Sequence, residues 1–272
     1  MTNSVTNLTL NDLRPIPQLG FGVFQVPPAE TRAVVEQALR TGYRHIDTAA
    51  AYRNEAGVGA ATANSGIPRD EVFVTTKLAN SQHGADKARP ALERSLRELG
   101  YDYVDLYLIH WPMPSQGLYV ETWQALVELR DAGLARSIGV SNFTVDHLQR
   151  VIDATGVVPS INQIELHPHL QQADLRAFGA EHGILTEAWS PIAQGAALDD
   201  DTIIEVASAV GRTPAQVVLR WHLQLGNVVI PKSVTPTRIE ENFAVFDFEL
   251  SDEQMGAIAA LDAGDRTGPS PV

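Results

Sequence analysis

Leu92-Glu-Arg-Ser-Leu-Arg-Glu-Leu-Gly-Tyr-Asp-Tyr-Val-Asp-Leu-Tyr-Leu-Ile-His110 contains, in one stretch, the unit from which the chain is built. Leu92, Leu96 and Leu99 recur at helical spacing with charged residues between them, and Gly100 stands where a helix closes on a left-handed residue. Val104 to Ile109 is a short apolar run of strand character, and a polar residue, His110, follows at once. Seven other runs read the same way: Leu19 to Phe24, Arg44 to Ile46, Val72 to Thr76, Arg136 to Val140, Ser160 to Leu166, Ile184 to Trp189 and Asn227 to Ile230. Gly42, Gly133 and Gly183 precede strands as Gly100 does, and Trp123, Leu126 and Val127 form another helical stripe of core type. Strand and helix alternate eight times with short connections. That pattern predicts an α/β fold of parallel strands and crossover helices, a (β/α)8 TIM barrel, with an open doubly wound sheet as the alternative.

Outside the repeat, Val5 to Pro17 reads as an N-terminal β-hairpin turning at Asn11-Asp12. Thr213-Pro214 reads as an N-cap with proline at the first helical position, opening a further helix through Leu225. Asp262 to Val272 is a short, irregular C-terminal tail rich in Gly and Pro. No linker or composition shift divides the chain, so residues 1–272 are expected to form one domain.

The composition is that of an ordinary globular enzyme, with 44% hydrophobic and 19% charged residues. No apolar run approaches the ~20 residues of a membrane span, and Met1 to Leu10 has no secretory pattern, so a cytoplasmic protein is expected. The absence of cysteine excludes disulfide and thiolate chemistry. A net charge of −13 with scattered Lys and Arg argues against a nucleic-acid surface. An anionic cofactor would need a local basic site, and Lys232 with Arg238 offers one.

Chemistry-bearing side chains gather where the strands of such a barrel end, the face on which barrel active sites are built. Asp47 follows the second strand, Lys77 the third and His110 the fourth. Ser141 and Asn142 follow the fifth, Gln163 lies in the sixth, Trp189 and Ser190 end the seventh, and Lys232 and Ser233 follow the eighth. Taken singly, Asp47 is a turn cap, Lys77 a solvated charge, and Tyr52 and His110 packing residues; their shared location overturns that reading. Tyrosine ordinarily titrates near ~10, and acting near neutrality by a lowered pKa needs about 3 units, roughly 4 kcal/mol, from a neighbouring ammonium. Asp47 would hold Lys77 charged while His110 donates a hydrogen bond to the substrate oxygen awaiting the Tyr52 proton. Trp189 reads either as a filler of the barrel mouth or as a stacking platform for a nicotinamide ring, whose carboxamide Ser141, Asn142 and Gln163 could hold. Gly57-Val58-Gly59 follows no strand and reads as helix packing rather than a dinucleotide fingerprint. His167-Pro168-His169, with Glu165 nearby, lacks a third metal-ligand group and reads as a loop shaped by Pro168.

Gly42-Tyr-Arg-His-Ile-Asp-Thr-Ala-Ala-Ala-Tyr-Arg-Asn-Glu55, Asp105-Leu-Tyr-Leu-Ile-His-Trp-Pro112, Gly133 to Asn142, Asn162-Gln-Ile-Glu-Leu-His-Pro168 and Ile230-Pro-Lys-Ser233 through Asn242 resemble the aldo-keto reductase superfamily over essentially the whole chain. Gly20-Phe-Gly-Val-Phe24 and Pro214-Ala-Gln-Val-Val-Leu-Arg-Trp-His222 are most similar to bacterial 2,5-diketo-D-gluconate reductases. The resemblance implies a catalytic tetrad of Asp47, Tyr52, Lys77 and His110, NADPH/NADP+ as cofactor, and a small carbonyl compound as substrate. It implies cofactor contacts from Gly22, Val23, Ser141, Asn142, Gln163, Trp189, Ser190, Ile192, Gln194, Gly195, Lys232, Ser233, Val234, Thr235, Arg238, Glu241 and Asn242. Lys232 and Arg238 would neutralise a 2′-phosphate, favouring NADPH over NADH. Phe24, Ala79, His110 and Trp111 would line the substrate pocket, wider at Ala79, where close relatives often carry tryptophan. A monomer is implied. The alternatives are an NADPH-binding regulatory subunit with little activity, which the complete tetrad argues against, and a barrel metallohydrolase using His110, His167 and His169.

Overall fold

The computed structural model describes residues 5–271; residues 1–4 and 272, which the leader, tail and domain expectations touch, lie outside it. Asn7–Thr9 (β1) and Pro15–Pro17 (β2) pair antiparallel as the expected hairpin, with Leu8 opposite Ile16 and Leu13 in a left-handed turn conformation. Then the alternation begins: β3 (Phe21–Gly22), α1 (Pro28–Thr41), β4 (His45–Asp47), α2 (Glu55–Asn64), β5 (Phe73–Leu78), α3 (Ala85–Leu99), β6 (Val104–Ile109) and α4 (Tyr119–Asp131). It continues with β7 (Ala135–Ser141), α5 (Val145–Thr155), β8 (Ile161–Glu165), α6 (Ala173–His182), β9 (Leu185–Trp189), α7 (Asp201–Val210), α8 (Pro214–Gln224), β10 (Val228–Val229), α9 (Pro236–Phe243) and α10 (Asp252–Ala259).

All eight expected strands are present as one parallel sheet in chain order, β3 through β10. Its two edges meet: Leu19 bridges Val229 in parallel, Gly20 N donates to Val229 O at 2.8 Å, and Val229 N donates to Gln18 O at 2.9 Å. The first and last strands are shorter than the apolar runs that announce them, because outside Phe21–Gly22 and Val228–Val229 the backbone pairs only intermittently. Parallel order points every strand's C-terminal end to one face, which is what brings the polar strand-end residues together.

Local sequence explains the helix boundaries. Gly42, Gly100 and Gly183 cap α1, α3 and α6 with positive φ. Thr213 caps α8 in a reciprocal box with Gln216, with Pro214 at the first helical position, as expected. Among the described residues no helix is long and apolar enough to cross a membrane.

Gly57 and Gly59 are packing glycines, as their position after Tyr52 implied. A Cβ on Gly57 would sit 2.8 Å from Thr31 of α1, and one on Gly59 only 2.0 Å from the Leu99 carbonyl at the end of α3. Gly59→Ala therefore forces α2 away from its neighbour and is expected to cost about 3 kcal/mol, lowering Tm by roughly 10 °C. Gly256→Ala in α10, where nothing lies within 4 Å, should instead gain up to about 1 kcal/mol; thermal melting of both variants checks the contrast.

Candidate active site

Lys77 points from β5 into the sheet interior and is fully buried, an unfavourable place for an ammonium without a partner. Asp47 at the end of β4 supplies one: Nζ donates to Oδ1 at 2.6 Å and to the Thr48 carbonyl at 3.0 Å. Burial alone would lower the lysine, but the Asp47 charge and hydrogen bond outweigh it and hold Lys77 above its ordinary value, hence charged. The Tyr52 hydroxyl lies 3.5 Å from Nζ.

Tyr52 is delivered by the helical turn Ala50–Tyr52, and the left-handed Arg53 reverses the chain behind it. A buried clamp fixes that turn: Thr48 Oγ1 donates to Asn54 Oδ1 at 2.8 Å, while Asn54 Nδ2 donates to the Val23 and Val26 carbonyls at 3.0 and 3.3 Å. Phe24 packs on the Tyr52 ring at 5.1 Å and His110 meets it edge-on at 5.6 Å. Burial first, and the Lys77 charge second, drive His110 down to about 3, so at neutral pH the imidazole is uncharged and can donate one N–H.

One expectation needs correction. The neighbouring ammonium does not bring Tyr52 toward neutrality; burial pushes the phenol above its ordinary value, outweighing Lys77, and the Asp47 charge cancels part of the lysine field. Tyr52 is thus held protonated, the state a proton donor requires, but not acidified.

Around the tetrad, Ser141 Oγ donates to the Gln163 carbonyl at 2.8 Å and accepts from Asn142 Nδ2 at 3.1 Å. Asn142, with φ of 63°, also donates to the His110 carbonyl and accepts from Trp189 Nε1 at 2.9 Å, which locks the indole plane. Gln163 Nε2 is committed to Asp47 Oδ2 at 2.8 Å and Glu187 Oε2 at 2.9 Å, so only its Oε1 is left for a carboxamide. Past Trp189, Ser190, Ala193 and Gln194 all have left-handed backbone, and Gly195 follows with φ of 106°. Across the mouth, Gly22 N donates to the Pro231 carbonyl, and a Cβ at Gly22 would lie 3.0 Å from the Ile230 carbonyl. Val23 is buried, its N–H donating to the Asp47 carbonyl at 3.0 Å and its own carbonyl accepting from Val26 N and Asn54 Nδ2, so neither backbone nor side chain is free for a ligand. Lys232, Val234, Thr235 and Arg238 are exposed beside α9, and among the described residues the two cations form no ion pair. Ser233 Oγ accepts from Thr235 N. Glu241 is already engaged with Thr213 Oγ1 at 2.6 Å, and Asn242 is buried. This donor set, an aromatic platform at one end and unpaired cations at the other, suits an elongated anionic ligand. Ala79 and Trp111 are half-buried on the loops after β5 and β6.

His167 and His169 turn to different carboxylates, Glu165 at 3.3 Å and Asp200 at 3.2 Å, and among the described residues no three metal-ligating groups converge. The tail is irregular, as expected, but tied down. Glu165 Oε1 accepts from Thr267 N, Thr267 Oγ1 and Gly268 N between 2.6 and 3.0 Å, and Gly268 lies so close to Trp189 that a Cβ would come within 2.4 Å of the indole. Two contributors gave no motif in the sequence: the Thr48–Asn54 clamp, and Glu187, whose only signal is an acidic residue inside an apolar strand run.

A cavity of about 660 Å³ opens at the opposite, N-terminal end of the sheet, with Arg14, Arg44, Asp105 and Arg136 among its lining. Its charges are balanced by Asp70, Glu71 and Asp105, and none of the tetrad faces it.

A buried ammonium stands beside a phenol and an imidazole at the C-terminal mouth of a parallel α/β sheet, the face on which such sheets carry their sites. The profile of the "Aldo/keto reductase family" matches residues 18–263, and the chain belongs to that family of oxidoreductases. It is 56% identical over 264 residues to an aldo-keto reductase of Mycolicibacterium smegmatis, covering 97% of this chain and 96% of that one. It is 54% identical over 268 residues to methylglyoxal reductase DkgA of Escherichia coli (strain K12), covering 98% and 97%. Among solved structures, apo Gox0644 superposes with a TM-score of 0.96 at 51% identity, covering 98% of both chains. A Gox0644 variant in complex with NADPH gives 0.95, also at 51% identity and with 98% of both chains covered.

Hydrogen bonds from His167 and from Thr267 and Gly268 outweigh burial and hold Glu165 down to about 2. A carboxylate depressed on folding stabilises above its unfolded pKa, and that contribution fades as pH falls from the usual carboxylate range toward 2. Glu165→Gln should therefore cost on the order of 2–3 kcal/mol at neutral pH and release the 266–268 strap. Faster amide exchange at Thr267 and Gly268, beyond the acceleration that lower global stability gives the sheet amides, is the expected readout.

Proposed function

We propose that this protein is an NADPH-dependent reductase of small carbonyl compounds: keto sugars such as 2,5-diketo-D-gluconate, dicarbonyls and aldehydes. It would act as a monomeric, single-domain, closed (β/α)8 barrel in the cytoplasm. The observation that carries the reading is the buried Lys77–Asp47 pair, 3.5 Å from the Tyr52 hydroxyl, with His110 edge-on to that ring at 5.6 Å. The similarity to a methylglyoxal reductase and to a protein solved with NADPH supports the substrate class and the cofactor.

NADPH, when bound, supplies the hydride from nicotinamide C4. Trp189, fixed through Asn142, offers the face against which a nicotinamide packs, and Ser141, Asn142 and the Gln163 oxygen hold its carboxamide. Ser190, Ile192, Gln194 and Gly195 line the pyrophosphate; Lys232 and Arg238 bind the 2′-phosphate, with Ser233, Val234, Thr235, Glu241 and Asn242 around the adenosine. His110, as neutral imidazole, donates to the substrate carbonyl oxygen and orients it toward Tyr52. Tyr52 gives up its proton as the alkoxide forms, and Lys77 stabilises the resulting tyrosinate. Phe24, Trp111 and the half-buried Ala79 line the entrance.

NADPH oxidation measured against 2,5-diketogluconate, methylglyoxal, phenylglyoxal and simple aldehydes tests the reading. Tyr52→Phe should lower kcat by roughly 10² to 10⁴ with NADPH affinity retained, since it removes the proton donor and keeps the ring. NADPH binding without reduction of any carbonyl would favour a regulatory role. Arg238→Ala should weaken NADPH about tenfold while leaving NADH nearly unchanged, as loss of one charge-assisted contact predicts.

A further inference from the structure

Glu187 lies on β9 in register between Gln163 of β8 and Val228 of β10, and it is fully buried. The proton transfer described above makes no use of it. Its Oε2 accepts from Gln163 Nε2, and the same nitrogen donates to Asp47 Oδ2. Asp47, ionised beside Lys77, can only accept, so it fixes this amide with the nitrogen toward the two carboxyl groups and the oxygen turned away.

The other oxygen, Oε1, has no hydrogen-bond partner and lies 3.7 Å from His45 Nε2. His45 Nδ1 is 3.4 Å from the Pro17 carbonyl, which can only accept, so the ring hydrogen belongs there. Nε2 is then a bare acceptor, satisfied by Thr75 Oγ1 at 3.1 Å. An anionic Oε1 would face this lone pair with no proton between them, in a dry interior already holding the Asp47 charge. A proton on Oε1 removes both conflicts.

We infer that Glu187 is a positioning residue which, as a neutral carboxylic acid, holds Gln163 and through it Asp47, leaving Lys77 a single anionic partner. This rests on the reductase reading. The groups facing Glu187 are His45 and Asp47 from β4, Thr75 and Lys77 from β5, and Gln163 from β8; β10 contributes only Val228. Burial first, and the Asp47 charge second, push Glu187 up to about 8, and burial drives His45 down to about 3, so both are neutral at pH 7. Ionisation of Glu187 adds a negative charge that raises Tyr52 and Lys77 further and makes the phenol a poorer donor. Carbonyl reduction should therefore slow as pH rises through about 8.

The test compares kcat against pH for the wild type and Glu187→Gln, which keeps shape and neutrality but cannot ionise. The wild type should lose roughly tenfold between about pH 7 and 9, and the variant should lack that limb with KM for NADPH nearly unchanged. Infrared spectra of both cofactor-free proteins provide a readout independent of turnover. A protonated-carboxyl band should be present in the wild type at neutral pH, vanish above about 8, and be missing from the variant. Glu187→Leu serves if the glutamine variant does not fold. An identical kcat limb in wild type and variant, or no carboxyl band assignable to Glu187, overturns the inference while leaving the reductase reading intact. A wild type that reduces no carbonyl overturns that reading and the positioning role with it.

Discussion

A single ammonium in the middle of the sheet governs the arrangement of this site. Lys77 has no solvent exposure, and isolating such a charge from water is far more unfavourable than one hydrogen bond can offset. It is tolerable because Asp47 and the Thr48 carbonyl both reach it. Asp47 must then be held in turn, and Gln163 does so from the far side of the mouth. A chain of side chains from β4, β5, β8 and β9 is needed to place one positive charge beside one phenol. Parallel strands in sequence order supply it, because their C-terminal ends converge on one face.

The loops complete what the strands begin. Tyr52 lies on a short turn rather than a strand, and its position depends on the buried Thr48–Asn54–Val23 clamp. Trp189 depends on Asn142, whose left-handed backbone aims both side-chain groups at neighbours. The tail, fastened to Glu165, brings Gly268 against that same indole, so the last residues of the chain border the mouth.

Much of this was legible in the residues. Apolar runs punctuated by glycine announced all eight strands, and Thr213-Pro214 announced α8 because capping chemistry is local. Asp47, Lys77 and His110 could be placed at strand ends because that punctuation sets where the strands stop, whereas Tyr52 lies beyond its strand on the turn Ala50–Tyr52. What depended on burial was not legible. The upward push on Tyr52 arises from the desolvation of a phenol by side chains distant in sequence, and nearest-charge reasoning gave the opposite sign. Glu187 sits in an apolar run where one acidic residue reads as an outward-facing position, and only the register with Gln163 turns it inward. The Glu165 strap joins residues about a hundred positions apart, and no local pattern encodes such a contact.

The measurement that bears most directly on this dependence is the ionisation of Lys77 itself, followed by nitrogen NMR of its Nζ across pH in the cofactor-free protein. The Asp47 pairing predicts an ammonium throughout the range in which the protein stays folded, titrating above the ordinary lysine value of 10.5 if at all. A neutral amine near pH 7 would contradict it, since Asp47 would then hold no cation and Tyr52 would face no positive charge.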